Sequence, residues 1–417
     1  MRDKADPVAP AGRKRGFATD LAPYALTIAA VLLAWQVVIQ PFVQRAPVGF
    51  AIRIAPNSPA VLRRAAEAEL IENRVDNAAA LGRDALVREP FSARSLRIIG
   101  LTEARAGRLV AADDILTLAG NLSLRDDPAH AWLVEHRLRQ GDYSSSFAHA
   151  DTLVRRREDI RPQVFRLFTT AANLDGDRAL PVVTRLLAAR PPWRQSYFDS
   201  LYTSTEGLQV AASLAVMLQA SRAPLTDAEL GQFYMQLLDK GQVPAVRSVR
   251  QRLNRPNRST AVTNGGFGPA VAPEPFQWRL APTAGVIAEI VPDDLRPADP
   301  ALRIEYDGFA PSRIAEQLVF LDPGRYRLTF ETRLEDGDPG DRMAWTLTCA
   351  PGDQAILRAP SATTGTTGWT PHSADFTVPS ACAAQWLRLE TRPGDRRATV
   401  VAWFDRVAIA PASTGLN

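Results

Sequence analysis

The chain of 417 residues is poor in lysine, histidine and cysteine. Its only lysines are Lys4, Lys14 and Lys240, so arginine supplies nearly all of its 49 basic side chains. These arginines are interspersed with 45 acidic residues, which is typical of a solvated surface rather than of a basic nucleic-acid-binding tract. We therefore expect no nucleic-acid partner.

Signatures of the common enzyme classes are absent. There is no Gly-x-Ser-x-Gly elbow, no phosphate-binding Gly-x-x-x-x-Gly-Lys loop, no Cys-x-x-Cys pair and no His-Glu-x-x-His helix. A glycosidase needs two carboxylates facing each other across a cleft, and the spacing of Glu305, Glu331 and Glu390 defines no such pair. The prediction is a non-enzymatic protein without a cofactor or metal. A carbohydrate-active enzyme with an unrecognised site is an alternative.

Long apolar runs are scarce as well, with one exception near the N-terminus. From Leu21 to Gln40 the chain has no charged residue. At 1.5 Å per residue, about 20 such residues cross a hydrocarbon core of roughly 30 Å. A cleaved signal peptide would have a shorter apolar core and a small-x-small cleavage site, which the sequence after Val43 lacks. We predict an uncleaved signal anchor at 21–43, with a cleaved signal peptide and a buried helix of a soluble protein as alternatives.

Basic residues around this run predict its orientation, because the cytoplasmic side of a membrane protein retains more of them. Five precede the run and three follow it over a comparable distance: Arg2, Lys4, Arg13, Lys14 and Arg15 before, and Arg45, Arg53 and Arg63 after. We expect a single-pass protein of the bacterial inner membrane. Its tail (1–20) would lie in the cytoplasm and its bulk in the periplasm.

Residues 57–254 are rich in Ala, Leu and Arg at helical spacing. A turn residue recurs at intervals of 34, 34, 35, 31 and 34 residues: Asn73, Gly107, Gly141, Gly176, Gly207 and Gly241. A period near 34 predicts stacked helical hairpins, and glycine suits the turn because it closes a helix with positive φ.

This region resembles tetratricopeptide repeats. Gly141-Asp-Tyr143 matches the turn of that family, and small residues follow the turn at offsets of 5 and 12 in two repeats, at Ala78 and Ala85 and at Ala112 and Ala119. The tryptophan and tyrosine that the family carries in its first helix are missing, and the repeats after Gly176 keep little beyond the glycine. The resemblance implies a solenoid with a groove for a protein partner. A spacer that holds the next domain away from the membrane is the alternative.

The helical pattern stops at a Pro- and Asn-rich stretch, so we predict a linker at 255–263. Beyond it, apolar residues alternate with polar ones, most clearly around Tyr326, Leu328 and Phe330. Eight to ten such short strands separated by Gly/Pro turns predict an antiparallel β-sandwich at 264–413.

The order of motifs in this domain resembles a jelly-roll carbohydrate-binding module over about 150 residues. It opens with Asn264-Gly-Gly-Phe267, continues through the strand containing Trp278 and the strand after Pro323-Gly324, and closes with Trp403-Phe-Asp405-Arg-Val407. Related modules hold a structural calcium ion, but Asp405 alone does not define such a site. The resemblance implies glycan binding, although related modules include many that bind no sugar.

Strand alternation sorts the tryptophans of the β-domain. Trp278 and Trp345 share their faces with apolar residues, and Trp403 shares its face with Val407 and Ile409. We assign these three tryptophans to the core.

Trp386 differs, since it shares a face with Arg388 and Glu390. An aromatic ring beside charged groups on one sheet face suits stacking on a sugar. Polar residues of neighbouring strands and a loop complete the predicted glycan site, which consists of Trp386, Arg388, Glu390, Trp369, Gln277 and Arg303. The alternative is a solvated outer face with one exposed tryptophan.

Both cysteines, Cys349 and Cys382, lie in the β-domain. Outside the cytoplasm, two cysteines of one small domain form a disulfide if their Cα atoms lie within about 7 Å. Two buried thiols are the alternative.

Together these features predict a multidomain α + β protein. It has an N-terminal transmembrane helix, an α-solenoid of helical hairpins and a C-terminal antiparallel β-sandwich of the jelly-roll type. The function that fits best is a cell-envelope protein accessory to exopolysaccharide assembly or export. Its solenoid would recruit a protein partner and its β-sandwich would contact a glycan. A pure protein scaffold whose β-sandwich binds no sugar is the main alternative.

Overall fold

The computed structural model describes residues 26–31, 33–34, 42–43, 45–253, 261–281, 283–361, 368–394 and 397–412. The predicted tail (1–20) lies outside these ranges, as do most of the predicted membrane span (21–43) and of the predicted linker (255–263). Within the described ranges, none of the helices is both long enough and apolar enough to cross a membrane.

The chain separates between Arg156 and Arg157 into two compact units. The first unit is helical, and the second contains further helices followed by strands. The fold class is therefore α + β. The division between the units falls inside the predicted repeat region, so the second unit includes both kinds of secondary structure.

Helices of the first unit follow one another with short connections. They are α1 (Val48–Ile54), α2 (Pro59–Ile71), α3 (Val75–Arg88), α4 (Ala93–Arg105), α5 (Leu109–Leu122), α6 (Asp127–Arg139) and α7 (Tyr143–Val154). The turns within the pairs α2–α3, α4–α5 and α6–α7 contain Asn73, Gly107 and Gly141, with φ of 58°, 79° and 73°. The Arg108 N–H closes one turn by donating to the Glu103 carbonyl at 3.0 Å. This bond is the Schellman closure, which needs a residue of positive φ.

Small residues let the paired helices approach closely. Ala78, Ala85, Ala112 and Ala119 are all fully buried. A Cβ atom at Gly100 would lie 2.6 Å from Cγ of Leu116, so α4 and α5 meet at a point where only glycine fits. The helix starts in this unit are specified locally. The Asp126 and Asp142 carboxylates accept hydrogen bonds from the N–H groups of Ala129 and Ser145, as N-cap residues do.

The helices of the second unit are α8 (Arg161–Leu174), α9 (Gly176–Ala188), α10 (Arg194–Leu201), α11 (Thr205–Gln219), α12 (Asp227–Asp239) and α13 (Val243–Arg252). Gly241 has φ of 68° between α12 and α13. Gly176 and Gly207 correct the predicted turn pattern, because Gly176 is the first residue of α9 and Gly207 lies in the first turn of α11. Glycine is required at 207 for space, since a Cβ atom there would lie 2.2 Å from the Leu201 carbonyl oxygen.

The described part of the chain after residue 278 forms ten strands in two antiparallel sheets. They are β1 (Arg279–Leu280), β2 (Val286–Asp293), β3 (Arg296–Tyr306), β4 (Ser312–Val319), β5 (Gly324–Asp336), β6 (Met343–Ala350), β7 (Ala355–Pro360), β8 (Thr370–Val378), β9 (Ala384–Thr391) and β10 (Val400–Pro411). Sheet one has the order β1-β4-β9-β6-β7, and sheet two has the order β2-β3-β10-β5-β8. Their inner faces form one hydrophobic core that contains Trp278 and Trp345.

Trp403 is not in this core, which corrects its predicted place. The pairing of β10 with β5 shifts register between Asp405 and Ala408, and Arg406 within this bulge has φ of 53°. One extra residue reverses the alternation, so Val407 and Ile409 point into the core while Trp403 lies on the outer face. A bulge of this kind is invisible to a count of alternate residues.

Cys349 and Cys382 form a disulfide, as predicted, with their Cα atoms 5.3 Å apart. Cys349 is in β6, and Cys382 precedes β9, which pairs with β6. Both cysteines are buried. The bond therefore joins the ends of two neighbouring strands of sheet one.

The last helices of the second unit pack directly on the β-sandwich. The ring of Tyr234 in α12 meets the ring of Phe276 edge-on, with centroids 5.2 Å apart. Arg247 of α13 pairs with Asp322 at 2.7 Å. A Cβ atom at Gly231 would lie 3.3 Å from the Glu274 carbonyl oxygen. Both the helices and the sandwich contribute buried side chains to this contact.

Candidate functional site

The six residues of the predicted glycan site do not come together. Trp386, Arg388 and Glu390 lie on β9 of sheet one, and Gln277 lies just before β1 of the same sheet. Trp369, just before β8, and Arg303, on β3, belong to sheet two. The two sheets enclose the core, so their outer faces point in opposite directions. Alternation predicts which face of its own strand a residue occupies, but not the sheet to which that strand belongs.

Trp386 lies on the outer face of sheet one, as its alternation predicts. Leu387 and Leu389 are fully buried in the core, so Trp386 and Arg388, which alternate with them, point outward. The ring of Trp386 remains partly exposed, and the guanidinium carbon of Arg388 lies 5.4 Å from its centroid. This distance is typical of a cation–π contact, which holds the indole ring in place. We call the outer surface formed by Trp386, Arg388, Glu390, Glu316 and Asp353 the Trp386 face.

Arg388 is the centre of the Trp386 face. It is only 5% exposed, and it donates hydrogen bonds to Glu316 Oε2 at 3.2 Å, Thr348 Oγ1 at 3.1 Å and Asp353 Oδ1 at 3.0 Å. Burial lowers its pKa, and the hydrogen bond from Arg388 lowers the pKa of Asp353. Three of its five N–H groups are thus used within the protein. Arg388 therefore serves to position Trp386 and the acidic groups around it.

Glu316 links Arg388 to the edge of the sheet. Its carboxylate, 7% exposed as a residue, accepts from Arg388 through one oxygen and from Arg279 through the other. A buried carboxylate is stable only when its charge is matched in this way. Gln277 has a structural role in the same region, since its Oε1 accepts the N–H of Val271 at 3.3 Å.

At one end of the Trp386 face lies a polar cleft of about 270 Å³. It is lined by Pro311, Ser312, Arg313, Glu390, Thr391 and Arg392. Arg313 and Glu390 form an ion pair across it at 3.5 Å. The predicted residue Glu390 is therefore part of a depression rather than of a flat surface.

Sheet two carries a second group of aromatic and charged residues on its outer face. The indole N–H of Trp369 donates to Asp293 Oδ2 at 2.8 Å, and the guanidinium carbon of Arg296 lies 4.6 Å from the ring. The predicted residue Arg303 lies 3.4 Å from Glu335 and makes an ion pair with it. These contacts engage the indole N–H of Trp369 and the guanidinium group of Arg303 within the protein, and Arg296 lies over one face of the Trp369 ring.

Trp403 is the residue of this second face that the sequence pattern missed. Its indole N–H donates to Glu335 at 2.6 Å, and Arg333 lies over its ring at 4.8 Å. At 5% exposure it offers no surface for stacking. Only the Asp405–Ala408 bulge explains its position, and no sequence signal marked that bulge.

Asp405, the carboxylate considered for calcium, is engaged by protein groups. Its carboxylate is buried, which raises its pKa. Oδ2 accepts a hydrogen bond from Arg296 Nη1 at 3.3 Å, and Oδ1 accepts one from the backbone N–H of Arg406 at 2.7 Å. Within the ranges that the structure describes, no three His, Cys, Asp or Glu side chains form a group able to hold a metal ion.

A groove of about 260 Å³ lies among the last helices of the second unit. It runs between α11 and α13, and its lining includes Leu208, Ala212, Leu237, Gln242, Ala245 and Arg252. The lining combines apolar side chains such as Leu208 and Leu237 with polar ones such as Gln242 and Arg252. A cleft of this composition suits an apolar side chain of a bound peptide.

No protein-family model matches the chain, and no curated protein matches its sequence. Solved structures are similar to its two kinds of region. A family 61 carbohydrate-binding module in complex with β-1,4-galactotriose is 18% identical, with 37% of this chain and 100% of the module covered and a TM-score of 0.28.

On the helical side, a tetratricopeptide-repeat protein with an unusual peptide-binding site is 13% identical, with 49% of this chain and 98% of that protein covered and a TM-score of 0.30. A tetratricopeptide repeat protein from Parabacteroides merdae is 10% identical, with 51% of this chain and 84% of that protein covered and a TM-score of 0.27. The helical half is therefore similar to tetratricopeptide-repeat proteins, and the sheet region is similar to carbohydrate-binding modules.

Proposed function

We propose that this protein is a non-catalytic binding protein of the cell envelope. Its β-sandwich binds a glycan on the Trp386 face, and its helical repeats bind a protein partner. Such a protein would be an accessory to exopolysaccharide assembly or export. The observation that carries the proposal is the partly exposed Trp386 ring held beside the buried, hydrogen-bonded Arg388.

Sugar recognition needs a flat apolar surface with polar groups around it. A sugar ring presents C–H groups on one side, which pack on an indole face, while its hydroxyl groups need donors and acceptors at the rim. Asp353 and Glu390 provide acceptors on the Trp386 face, and Arg313 provides donors, with 54% of its side chain exposed. Because Arg388 holds Trp386, little side-chain freedom is lost when a ligand binds.

The groove between α11 and α13 is the proposed site for the protein partner. Leu208 and Leu237 line it together with the polar residues Gln242 and Arg252. Repeat proteins use concave surfaces of this kind for extended peptides. Membrane anchoring through 21–43 and a periplasmic location are part of the proposal, and they rest on the uncharged run from Leu21 to Gln40.

The test is glycan binding by the full chain in lipid nanodiscs, measured on an array of bacterial and plant oligosaccharides. We expect Trp386→Ala to abolish binding and Trp369→Ala, a matched change on the opposite face, to preserve it. Equal loss in both variants, or none in either, would contradict a site on the Trp386 face. Turnover of any arrayed glycan would instead indicate an enzyme.

A protein scaffold is the second candidate. Arg388 already donates to Glu316, Thr348 and Asp353, which is also the arrangement expected of a purely structural outer face. If the folded chain binds no glycan, this candidate becomes the better one, and the groove between α11 and α13 becomes the first place to look for partners.

A further inference from the structure

The polar cleft at the end of the Trp386 face has an excess of positive charge. Arg313 and Arg392 line it, and Glu390 is the acid in its lining. Arg313 pairs with Glu390 at 3.5 Å and with Asp353 at 3.3 Å. Asp353 also accepts from Arg388, so these two carboxylates are shared among several guanidinium groups.

Arg392 adds a second positive charge to this lining. Its backbone N–H donates to the Arg342 carbonyl at 2.8 Å, but its side chain has no ion pair with any residue that the structure describes. The residue is exposed and follows directly on Glu390 and Thr391, so its guanidinium group is accessible from the cleft. Arg313 is already ion-paired, whereas Arg392 has no ion-pair partner within the described ranges, so the cleft leaves room for one anionic group.

Arg358 is a further positive group on the same outer face, on a strand that β6 separates from β9. It is on β7, and its Nη2 donates to the Asp341 carbonyl at 2.5 Å, while Nη1 is buried without a hydrogen-bond partner among the described residues. Burial lowers the pKa of Arg358, and the positive charge of Arg392 lowers it further, whereas Asp341 and Glu390 oppose the shift. Arg358 therefore adds to the positive charge of the outer face, although it is not part of the cleft lining.

We propose that Arg313 and Arg392 bind the anionic group of an acidic oligosaccharide, another sugar residue of which stacks on Trp386. The inference rests on the proposed glycan-binding function and specifies its ligand class. Glu390 is four residues from Trp386 along β9, which corresponds to roughly 13 Å of strand. A linear acidic oligosaccharide lying along β9 reaches both places.

The chemistry of the cleft favours an anion over a neutral sugar. A guanidinium group binds a carboxylate through two parallel hydrogen bonds, and such charge-assisted bonds are about twice as strong as neutral ones. An incoming anion would pair with Arg392, which lines the cleft beside Arg313. Glu390 stays neutralised by Arg313 and accepts from a sugar hydroxyl group.

The experiment compares matched acidic and neutral ligands on the full chain in lipid nanodiscs. The probes are oligogalacturonate, the same oligosaccharide with its carboxylates reduced to alcohols, a mixed mannuronate–guluronate oligosaccharide and a sulfated galactan oligosaccharide. Affinity is measured by titration calorimetry at two salt concentrations. We expect at least one acidic probe to bind about tenfold more tightly than its neutral counterpart, and the preference to weaken at high salt.

Two arginine variants locate the anion site. Arg392→Gln and Arg313→Gln should each lower the affinity for the acidic probe about tenfold. Arg392→Gln should leave the affinity for the neutral probe unchanged, because Arg392, unlike Arg313, is not among the donors assigned to sugar hydroxyl groups. Arg327→Gln is the control, because Arg327 is an exposed, ion-paired arginine on sheet two. Preference for the sulfated probe over the uronates would identify a sulfate ester as the anionic group.

Three results would overturn the inference. Equal, Trp386-dependent binding of acidic and neutral probes leaves the glycan function intact but refutes the anion site. Acidic-probe binding that survives both arginine substitutions places the anion elsewhere. Failure of every acidic probe to bind also refutes it, while the separate glycan array decides the broader function.

Discussion

The guanidinium carbon of Arg250 lies 3.9 Å from the centroid of the Phe276 ring. Arg250 is on α13, and Phe276 is in the segment that leads into β1. Burial lowers the pKa of Arg250. The ring face compensates part of the lost hydration through its negative quadrupole, as in other cation–π pairs. This contact and the Tyr234 ring on Phe276 join the last helical hairpin to the β-sandwich.

Phe276→Ala is expected to destabilise the second unit by about 3–5 kcal/mol, because it removes a buried ring from between helices and sheet. Phe276 is 1% exposed. The free energy of unfolding from urea titration measures the effect. Phe309→Ala is the control, since Phe309 is 69% exposed and its loss should change stability by less than about 0.5 kcal/mol. Similar effects of the two changes would contradict the role given to Phe276.

Removing the disulfide is expected to destabilise the β-sandwich by about 3–4 kcal/mol, the entropic estimate for a loop of this size. Cys349 and Cys382 are 33 residues apart in sequence. The Cys349→Ala/Cys382→Ala double variant and reduced wild type should show the same lowered urea midpoint. Dithiothreitol should have no effect on the double variant. A midpoint unchanged by reduction would show that the bond adds no stability.

Alanine substitution should affect stability differently at Gly207 and Gly176, although the sequence pattern predicted the same turn role for both. Gly207→Ala puts a Cβ atom 2.2 Å from the Leu201 carbonyl oxygen, so we expect about 2–4 kcal/mol of destabilisation. At Gly176 the nearest atom is Leu180 Cδ1 at 3.5 Å, so Gly176→Ala should be neutral or slightly stabilising. Thermal unfolding followed by circular dichroism distinguishes them. The reverse order would contradict the assigned helix starts.

A histidine pair should make the first unit less stable at mildly acidic pH. Nδ1 of His149 lies 2.9 Å from Nδ1 of His130, and its Nε2 lies 3.0 Å from Arg137 Nη1. Arginine only donates, so Nε2 of His149 accepts and the ring is neutral. Burial lowers the pKa of His149 to about 4, with further lowering by Arg137 and His130 and an opposing effect of Asp113.

The direction of this pH effect follows from the linkage between proton binding and folding. Between about pH 4 and pH 6.5 the unfolded histidine binds more protons than the folded one, so stability falls as the pH is lowered through this window. Burial also lowers the pKa of His130, which faces Asp126, Asp127 and Arg156 and acts in the same direction. His149→Gln should therefore flatten the dependence of the urea midpoint between pH 7.5 and pH 5. An unchanged slope would assign the pH dependence to other groups.

Much of the fold was readable from local patterns. The period near 34 residues predicted the hairpins, and the turn residues Asn73, Gly107, Gly141 and Gly241 adopt positive φ. Strand alternation correctly assigned Trp278 and Trp345 to the core and Trp386 to an outer face. These successes share one cause: helix and strand periodicity depends only on neighbours in sequence.

The errors arose where distant parts of the chain decide the outcome. Gly176 and Gly207 carry the same residue type as the turn glycines but serve helix starts, and the need for glycine at 207 comes from the approach of Leu201. Trp403 lies on the outer face rather than in the predicted core because of a bulge where β10 pairs with β5. Trp369 and Arg303 were grouped with Trp386 although they belong to the other sheet.

The sequence alone determined which segments are helices and strands, which cysteines are available to pair, and which side of its own strand Trp386 occupies, because these follow from spacing and residue type. The tertiary structure decided which polar residues share a surface. Trp386 meets Glu316 and Asp353 through Arg388 only because β4, β9 and β6 are neighbours in one sheet. Strand order arises from long-range pairing, which a one-dimensional pattern does not encode.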